Sequence, residues 1–167
     1  MSEIEDIRKE LGLVQIYTGN GKGKSTASFG LAVRAAGRGL NVLILQFMKP
    51  EAGYGEQVSF EKIGNIDIMP LGRKGFIFGT PKQKDIDDAH LALQKASELM
   101  KSKKYDVVIL DEAMNAVRLG LITSAELIAE LDARPEHVEV ILTGRGLPKE
   151  LEDYADLVTE MKLIKHP

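Results

Sequence analysis

The sequence predicts an α/β fold in three layers, with a mostly parallel sheet between helices on both faces. Three observations predict it. Apolar, β-prone runs alternate with helix-patterned segments along the chain. One of those runs, Val42-Leu43-Ile44-Leu45, is unbroken, as a strand buried on both faces is. The first run, Leu13 to Tyr17, leads through a glycine-rich turn directly into an alanine-rich helix.

The chain has 167 residues, which suits a single domain spanning residues 1–167. Its formal net charge is -3, so no broad cationic field points to nucleic acid. Without cysteine it can form no disulfide, thiolate metal site or cysteine nucleophile, which is compatible with a reducing compartment. The first residues, Met1 to Asp6, are acidic and lack the layout of a signal peptide. No apolar run reaches the length of a membrane span. A cytoplasmic protein that binds neither membrane nor nucleic acid is the expectation.

Taken in order, Ile4, Ile7 and Leu11 have the spacing of a short helix over Glu3 to Leu11. After the first strand comes Thr18-Gly19-Asn20-Gly21-Lys22-Gly23-Lys24-Ser25-Thr26. Strand, glycine loop and helix are the setting of a phosphate-binding loop. Glycines let backbone N–H groups converge on an anion, and the helix behind adds its positive N-terminal end. Lys24 would reach the distal phosphates, and Ser25 would place its hydroxyl on Mg²⁺. The usual spacing puts a glycine five residues before Gly23, yet that position is Thr18. Gly19 is one residue late, and Lys22 is an extra cation.

The following helix runs from Ala27 to Gly37 or Gly39, where glycine ends it. Arg34, late in that helix, reads either as a surface cation at a helix C-terminus or as a nucleotide contact. Asn41 to Phe47 is the buried strand, and Lys49 to Gly55 the polar loop at its end, where α/β folds place ligand contacts. Val58 to Ile63 and Ile66 to Met69 read as two short strands. The segment Leu71 to Pro81 sets Phe76 and Phe78 among glycines and cations. It is either a loop whose aromatics enter the core or an apolar surface for a ligand.

Ile86, Ala89, Leu93, Ala96 and Leu99 make an apolar stripe on a helix from Lys82 to Lys101. His90 on that helix reads as a packed or surface residue. The strand Tyr105 to Leu110 ends in two carboxylates, Asp111 and Glu112. Carboxylates at such a strand end hold Mg²⁺ in phosphate-loop proteins, or merely cap the next helix, Ala113 to Leu119. Thr123 to Glu126 has the spacing of a capping box opening a helix through Leu131, and Arg134-Pro135 ends it. His137 to Leu142 is a strand followed by Thr143-Gly144-Arg145-Gly146. Arg145 there is either part of a turn or a guanidinium presented to phosphate. A short helix, Pro148 to Tyr154, and an edge strand, Leu157 to Ile164, close the fold.

These residues resemble the ATP:corrinoid adenosyltransferases of the CobA/BtuR type. The similarity rests on the offset loop Thr18 to Thr26, on Gln46-Phe47-Met48-Lys49, on Val108 to Glu112, on Leu131 to Pro135, on Thr143 to Gly146 and on Ile164-Lys165-His166. It extends from Leu13 to the end of the sequence. The resemblance implies a P-loop NTPase, RecA-like core. It implies transfer of the 5′-deoxyadenosyl group of ATP to the cobalt of a reduced Co(I) corrinoid, with triphosphate released, in the synthesis or salvage of adenosylcobalamin. Cobalt carries the electron pair, so no protein base is needed, and positioning and charge stabilisation dominate.

Carried over by position, Lys24 and Lys22 are the catalytic cations. The loop from Thr18 through Gly19, Asn20, Gly21, Lys22, Gly23, Lys24 and Ser25 to Thr26 binds ATP. Ser25, Asp111 and Glu112 serve Mg²⁺, and Arg34 and Arg145 are nucleotide contacts. Phe76 and Phe78 fall in the corrinoid-facing loop, where aromatics would displace the lower cobalt ligand and ease reduction of Co(II). Position 78 is Phe where family members often carry Trp, and both termini are short. A homodimer and an external electron donor, such as a flavoprotein, are also implied. The alternatives are a generic phosphate-loop ATPase or kinase and a nucleotide-dependent corrinoid carrier without transfer. The offset loop and the Phe76/Phe78 segment favour the transferase.

Overall fold

The computed structural model describes residues 3–72, 77 and 79–167. Phe76 and Phe78 therefore lie outside the described residues. The elements run α1 (Glu3–Lys9), β1 (Val14–Thr18), α2 (Lys24–Gly37), β2 (Val42–Phe47), α3 (Gly55–Phe60), β3 (Ile66–Leu71) and α4 (Gln83–Lys101). They continue β4 (Val107–Asp111), α5 (Ala113–Arg118), α6 (Ser124–Asp132), β5 (Glu139–Thr143), α7 (Lys149–Tyr154) and β6 (Leu157–Glu160). The six strands form one sheet in the order β3-β2-β4-β5-β1-β6, and every pairing is parallel. Strand β5 thus separates the strand that leads into the glycine loop from the strand that ends in the two carboxylates.

Parallel strands need crossovers, and the crossover helices cover both faces. On one face Val42, Ile44, Val107, Ile109 and Ile141 pack against Ile4 and Ile7 of α1, Phe29 and Ala32 of α2 and Phe60 of α3. On the other, Leu43, Leu45, Val108, Leu110, Val140 and Leu142 pack against Leu93 and Ala96 of α4, Met114 of α5, Leu127 of α6 and Leu151 of α7. Every residue of β2, β4 and β5 is buried, which is why these runs carry almost no polar side chains. Of those that remain, Gln46, Asp111 and Thr143 stand toward the C-terminal ends of the strands, and Glu139 opens β5 at the other end.

Helix α1 is tied to the opposite end of the sheet. Arg8 Nε donates to Asp106 Oδ1 at 2.7 Å, and Asp106 Oδ2 accepts from Asn41 N at 2.8 Å. The capping box at α6 forms as the spacing predicts. Thr123 Oγ1 accepts from Glu126 N at 3.1 Å, and Glu126 Oε2 accepts from Thr123 N at 2.7 Å. Caps of this kind contribute about 1 kcal/mol.

Two element assignments differ from the sequence reading. Val58 to Ile63 is not a strand: α3 occupies Gly55–Phe60, and turns follow it. Buried Gln57 decides this. Its Oε1 accepts from Ala52 N and Tyr54 N, and its Nε2 donates to Gln46 Oε1 at 2.9 Å and to Pro50 O at 3.2 Å. One turn later Phe60 meets Phe29 edge-on, with ring centroids 5.5 Å apart. Those anchors suit a helix period. The final strand is at the sheet edge, as expected, but it ends at Glu160 rather than Ile164. There the backbone turns to bond to the glycine loop.

Candidate functional site

The glycine loop connects β1 to α2 at the C-terminal end of the sheet. Gly19 and Gly23 adopt φ of 101° and 119°, conformations that side chains rarely enter. Helix α2 starts at Lys24, three residues earlier than its alanine-rich part suggests. It has no side-chain cap bond and no acidic residue in its first turn. Its first N–H groups thus carry the partial positive charge that binds anions. Ser25 is half-buried at this helix start, while Asn20, Lys22 and Thr26 are exposed and Thr18 is buried.

Lys24 is buried, and its Nζ donates to the carbonyl of Gly21 at 2.7 Å. Its pKa is lowered, first by burial and then by the nearby Arg145 guanidinium, with Glu112 opposing both. Lys24, Arg145 and Glu112 therefore share one electrostatic neighbourhood. Lys22 projects to solvent from the same loop.

One amide of the loop, that of Gly21, is already bonded within the chain. That N–H donates to Met161 O at 2.6 Å. The segment after β6 passes so close that a Cβ on either Gly19 or Gly21 would stand 2.5 Å from Met161 O. These two glycines are required by the chain's own backbone.

The carboxylates come from the end of β4. Asp111 is fully buried. Its Oδ1 accepts from Thr143 Oγ1 at 2.7 Å, and its Oδ2 faces Gln46 Nε2 at 3.5 Å, from the residue paired with it in register on β2. Glu112 has a left-handed backbone, with φ 63°. Such a conformation costs a non-glycine residue about 1 kcal/mol or more. It is held by Glu112 N donating to Thr143 Oγ1 at 3.0 Å, and Asn115 Nδ2 donates to the Glu112 carboxylate. Burial raises the pKa of Glu112, and Asp111 raises it further, against the attraction of Lys24 and Lys49.

A polar chain continues away from Asp111. Gln46 Nε2 donates to Glu56 Oε1 at 3.2 Å, Lys49 pairs with Glu56, and Lys49 Nζ stands 4.7 Å from the centre of the Tyr54 ring. The next strand enters here too: Gly72 N donates to Lys49 O at 2.9 Å, and Ile77 packs against the core on the α4 side. The assignments of Phe76 and Phe78 fall outside the described residues.

Arg145 lies just past β5. Its N–H donates to Asn115 Oδ1 at 3.0 Å and its side chain is exposed. Gly144 before it has φ 140°, and a Cβ there would stand 2.6 Å from Met114 Cβ. Arg34 is not brought to the loop. It lies in the last turn of α2, ten residues and about 15 Å along the helix from Lys24. There it borders a cavity of about 510 Å³ with Leu11, Arg38, Val107 and Glu139, at the far end of the sheet. Arg34 and the glycine loop thus stand at opposite ends of α2.

The structure thus brings Lys24, Ser25, Asp111, Glu112 and Arg145 to one end of the sheet. Sequence reasoning did not single out Gln46, Lys49, Thr143 and Asn115 individually as site residues. A polar residue closing an otherwise apolar strand was the available signal for Gln46 and Thr143. Among the described residues no three His, Asp or Glu side chains form a metal cage. The donor set fits Mg²⁺, which is commonly held by one or two carboxylates together with substrate phosphates and water.

Comparison with known proteins agrees with this geometry. Residues 10–167 match the family model described as ATP:corrinoid adenosyltransferase BtuR/CobO/CobP. A corrinoid adenosyltransferase of Pseudomonas aeruginosa is 36% identical over 165 residues, covering 98% of this chain and 81% of that protein. One from Sinorhizobium sp is 40% identical, covering 95% and 75%. The corrinoid adenosyltransferase CobA of Salmonella typhimurium is 36% identical, covering 99% and 84%. Among solved structures, the KaiC-like protein PH0186 of Pyrococcus horikoshii superposes with a TM-score of 0.58 at 16% identity, over 90% of this chain and 72% of that one. At that identity the likeness is one of fold.

Proposed function

The chain belongs to the ATP:corrinoid adenosyltransferase family, and from that premise we propose that it transfers the 5′-deoxyadenosyl group of ATP to the cobalt of a reduced corrinoid. The observation that carries the reading is the family match over residues 10–167, on a chain whose glycine loop, Lys24 and Glu112 meet at one end of the sheet. The Co(I) substrate supplies an electron pair and forms a bond to C5′ of the ribose. The C5′–O bond breaks, and its electron pair leaves with triphosphate.

The protein's part is to position the two substrates and to stabilise the charge that gathers on the leaving triphosphate. Lys24 and the open N-terminus of α2 serve that charge, with Lys22 and Arg145 as exposed cations beside them. Lys24 is held against the Gly21 carbonyl at 2.7 Å, ready to exchange that bond for a phosphate oxygen. Thr18, Gly19, Asn20, Gly23 and Thr26 shape the rest of the cradle. Ser25 and Glu112 would hold Mg²⁺ against the phosphates, with Asp111 behind them as a buried support. The ion would supply further neutralisation of triphosphate charge. Phe76 and Phe78, outside the described residues, are assigned to the corrinoid on the family resemblance alone.

Reduction of the corrinoid falls to an external donor such as a flavoprotein, and the working unit is a homodimer. No helix among the described residues is long and apolar enough to cross a membrane. We place the protein in the cytoplasm, a reading its cysteine-free sequence supports.

The test is an anaerobic incubation with ATP, Mg²⁺ and chemically reduced Co(I) corrinoid, followed by product analysis. Adenosylated corrinoid with intact triphosphate is the expected outcome. Orthophosphate without adenosylation would overturn it in favour of an ATPase.

A further inference from the structure

Three features make the segment after β6 part of the phosphate loop. β6 pairs with β1 up to Thr18 and Glu160, so the two strands end on the same rung. One residue on, Met161 N donates to Thr18 O at 2.8 Å, and Met161 O accepts from Gly21 N at 2.6 Å. A single residue thereby bonds to both the residue entering the loop and the loop's middle. The sequence accommodates it with glycine at 19 and 21, where a Cβ would stand 2.5 Å from the Met161 carbonyl. By contrast, a Cβ on Gly23 would meet nothing within 4 Å. Two of the loop's glycines answer to the strap, and only the third answers to backbone φ alone.

We propose that Met161 is a positioning residue of the phosphate loop, acting through its backbone as a strap. It turns the Gly21 amide away from the anion and leaves the triphosphate to the N–H groups from Lys22 to Thr26. It also fixes the Gly21 carbonyl on which Lys24 rests, since Gly21 is clamped from its amide side. The strap explains the offset of the first glycine. In the usual loop an earlier glycine lets amides wrap the anion from the strand side. Here that side of the loop is occupied by the chain itself, and Thr18 completes β1 instead. The ligand class is a polyphosphate gripped from the helix side.

The inference rests on the loop being the triphosphate cradle, so the experiment separates the two. Backbone amide exchange is followed by NMR on the full chain, free and with inorganic triphosphate and Mg²⁺. The Gly21 amide is expected to be protected already in the free protein, and triphosphate to add protection from Lys22 to Thr26 without changing Gly21. A Gly21 amide that exchanges freely until triphosphate arrives overturns the strap while leaving the cradle standing. Failure of triphosphate to protect any of these amides overturns the cradle and the strap's purpose with it.

Met161→Pro removes the N–H that bonds to Thr18, and Met161→Leu keeps both backbone bonds. The proline variant is expected to raise KM for ATP about tenfold with kcat changed less, as loss of one or two hydrogen bonds at a binding loop would do. The leucine variant should match the parent. Equal KM in all three proteins, with far-UV circular dichroism unchanged, would overturn the positioning role. So would a leucine variant as impaired as the proline one, because the side chain would then be responsible.

Discussion

One hydroxyl of Thr143 binds both carboxylate-bearing residues of the site: it donates to Asp111 Oδ1 at 2.7 Å and accepts from Glu112 N at 3.0 Å. The topology makes this possible. β5 lies between β1 and β4, so its last residue stands between the phosphate loop and the acidic pair. On the other side Gly144 N donates to Tyr17 O at 3.3 Å, tying the end of β5 to the strand that enters the loop. Thr143 is therefore the joint that sets Asp111 and Glu112 relative to Lys24.

Thr143→Val keeps the branched shape and removes the hydroxyl. Asp111 then loses a donor in a fully buried place, and the strained Glu112 backbone loses its restraint. The expected cost is about 1–3 kcal/mol in stability, the range for a buried polar group left without its partner. Urea unfolding measures it. Adenosyl transfer should fall by about tenfold or more, because Glu112 is released from its left-handed conformation. Thr143→Ser, which restores the hydroxyl, should recover most of both. A valine variant with parental transfer would show that Glu112 is held without Thr143.

Lys24→Ala removes the buried cation at the start of α2. Losing one preorganised charge stabiliser of a leaving group costs about 10²–10³ in rate, and the alanine variant should show at least that drop in kcat with Co(I) corrinoid. Lys22→Ala, at an exposed position, should cost less. Turnover of Lys24→Ala near the parental rate would remove Lys24 from the catalytic group.

The architecture was readable because it depends on periodicity and burial. The unbroken run Val42 to Leu45 has the look of a strand covered on both faces, and the alternation of strands and helices points to parallel crossovers. That Lys24, Ser25, Asp111 and Glu112 gather at one end of the sheet was readable because each closes or opens an element there. What escaped depends on contacts remote in sequence. Gln57 fixes a helix at α3 through bonds to Gln46, Pro50, Ala52 and Tyr54 that no local pattern reveals. Met161 reaches the loop from 140 residues away in sequence, so the glycines at 19 and 21 read as phosphate contacts. The distance of Arg34 from the loop escaped because a helix seen as a string of letters hides its length. Ten residues of rise carry Arg34 away from Lys24.

Phe76→Ala tests the corrinoid half of the reading, at a position outside the described residues. If this aromatic helps remove the lower ligand of the corrinoid, its loss should slow the route that starts from Co(II). Four-coordinate cobalt lacks an axial donor, and removing that donation raises its potential. Transfer from chemically preformed Co(I) should be spared, because the electron pair is then already in place. Equal losses by both routes would count against that role.

His90 and Glu126 give a pH dependence whose sign can be worked out. His90 Nε2 lies 2.9 Å from Glu126 Oε1, joining α4 to α6 on the surface. The bond to Glu126 first, and then the Ile86 carbonyl, raises the pKa of His90 above its ordinary 6.5. A histidine whose folded pKa is raised stabilises the fold fully below about 6.5, and that contribution is lost as pH climbs through the raised value. The Glu126 pKa is lowered, first by the Thr123 N–H and then by His90. Its contribution is lost at the other end, as pH falls through the depressed carboxylate range. The pair is therefore strongest between the two. Both side chains are over 40% exposed, at 44% and 43%, so solvent screening holds the pair to a few tenths of a kcal/mol. His90→Gln should narrow the difference in unfolding free energy between pH 6 and pH 8 by about that amount, and added salt should shrink the effect further. A glutamine variant with the parental pH slope would show that the histidine charge contributes nothing to holding α4 against α6.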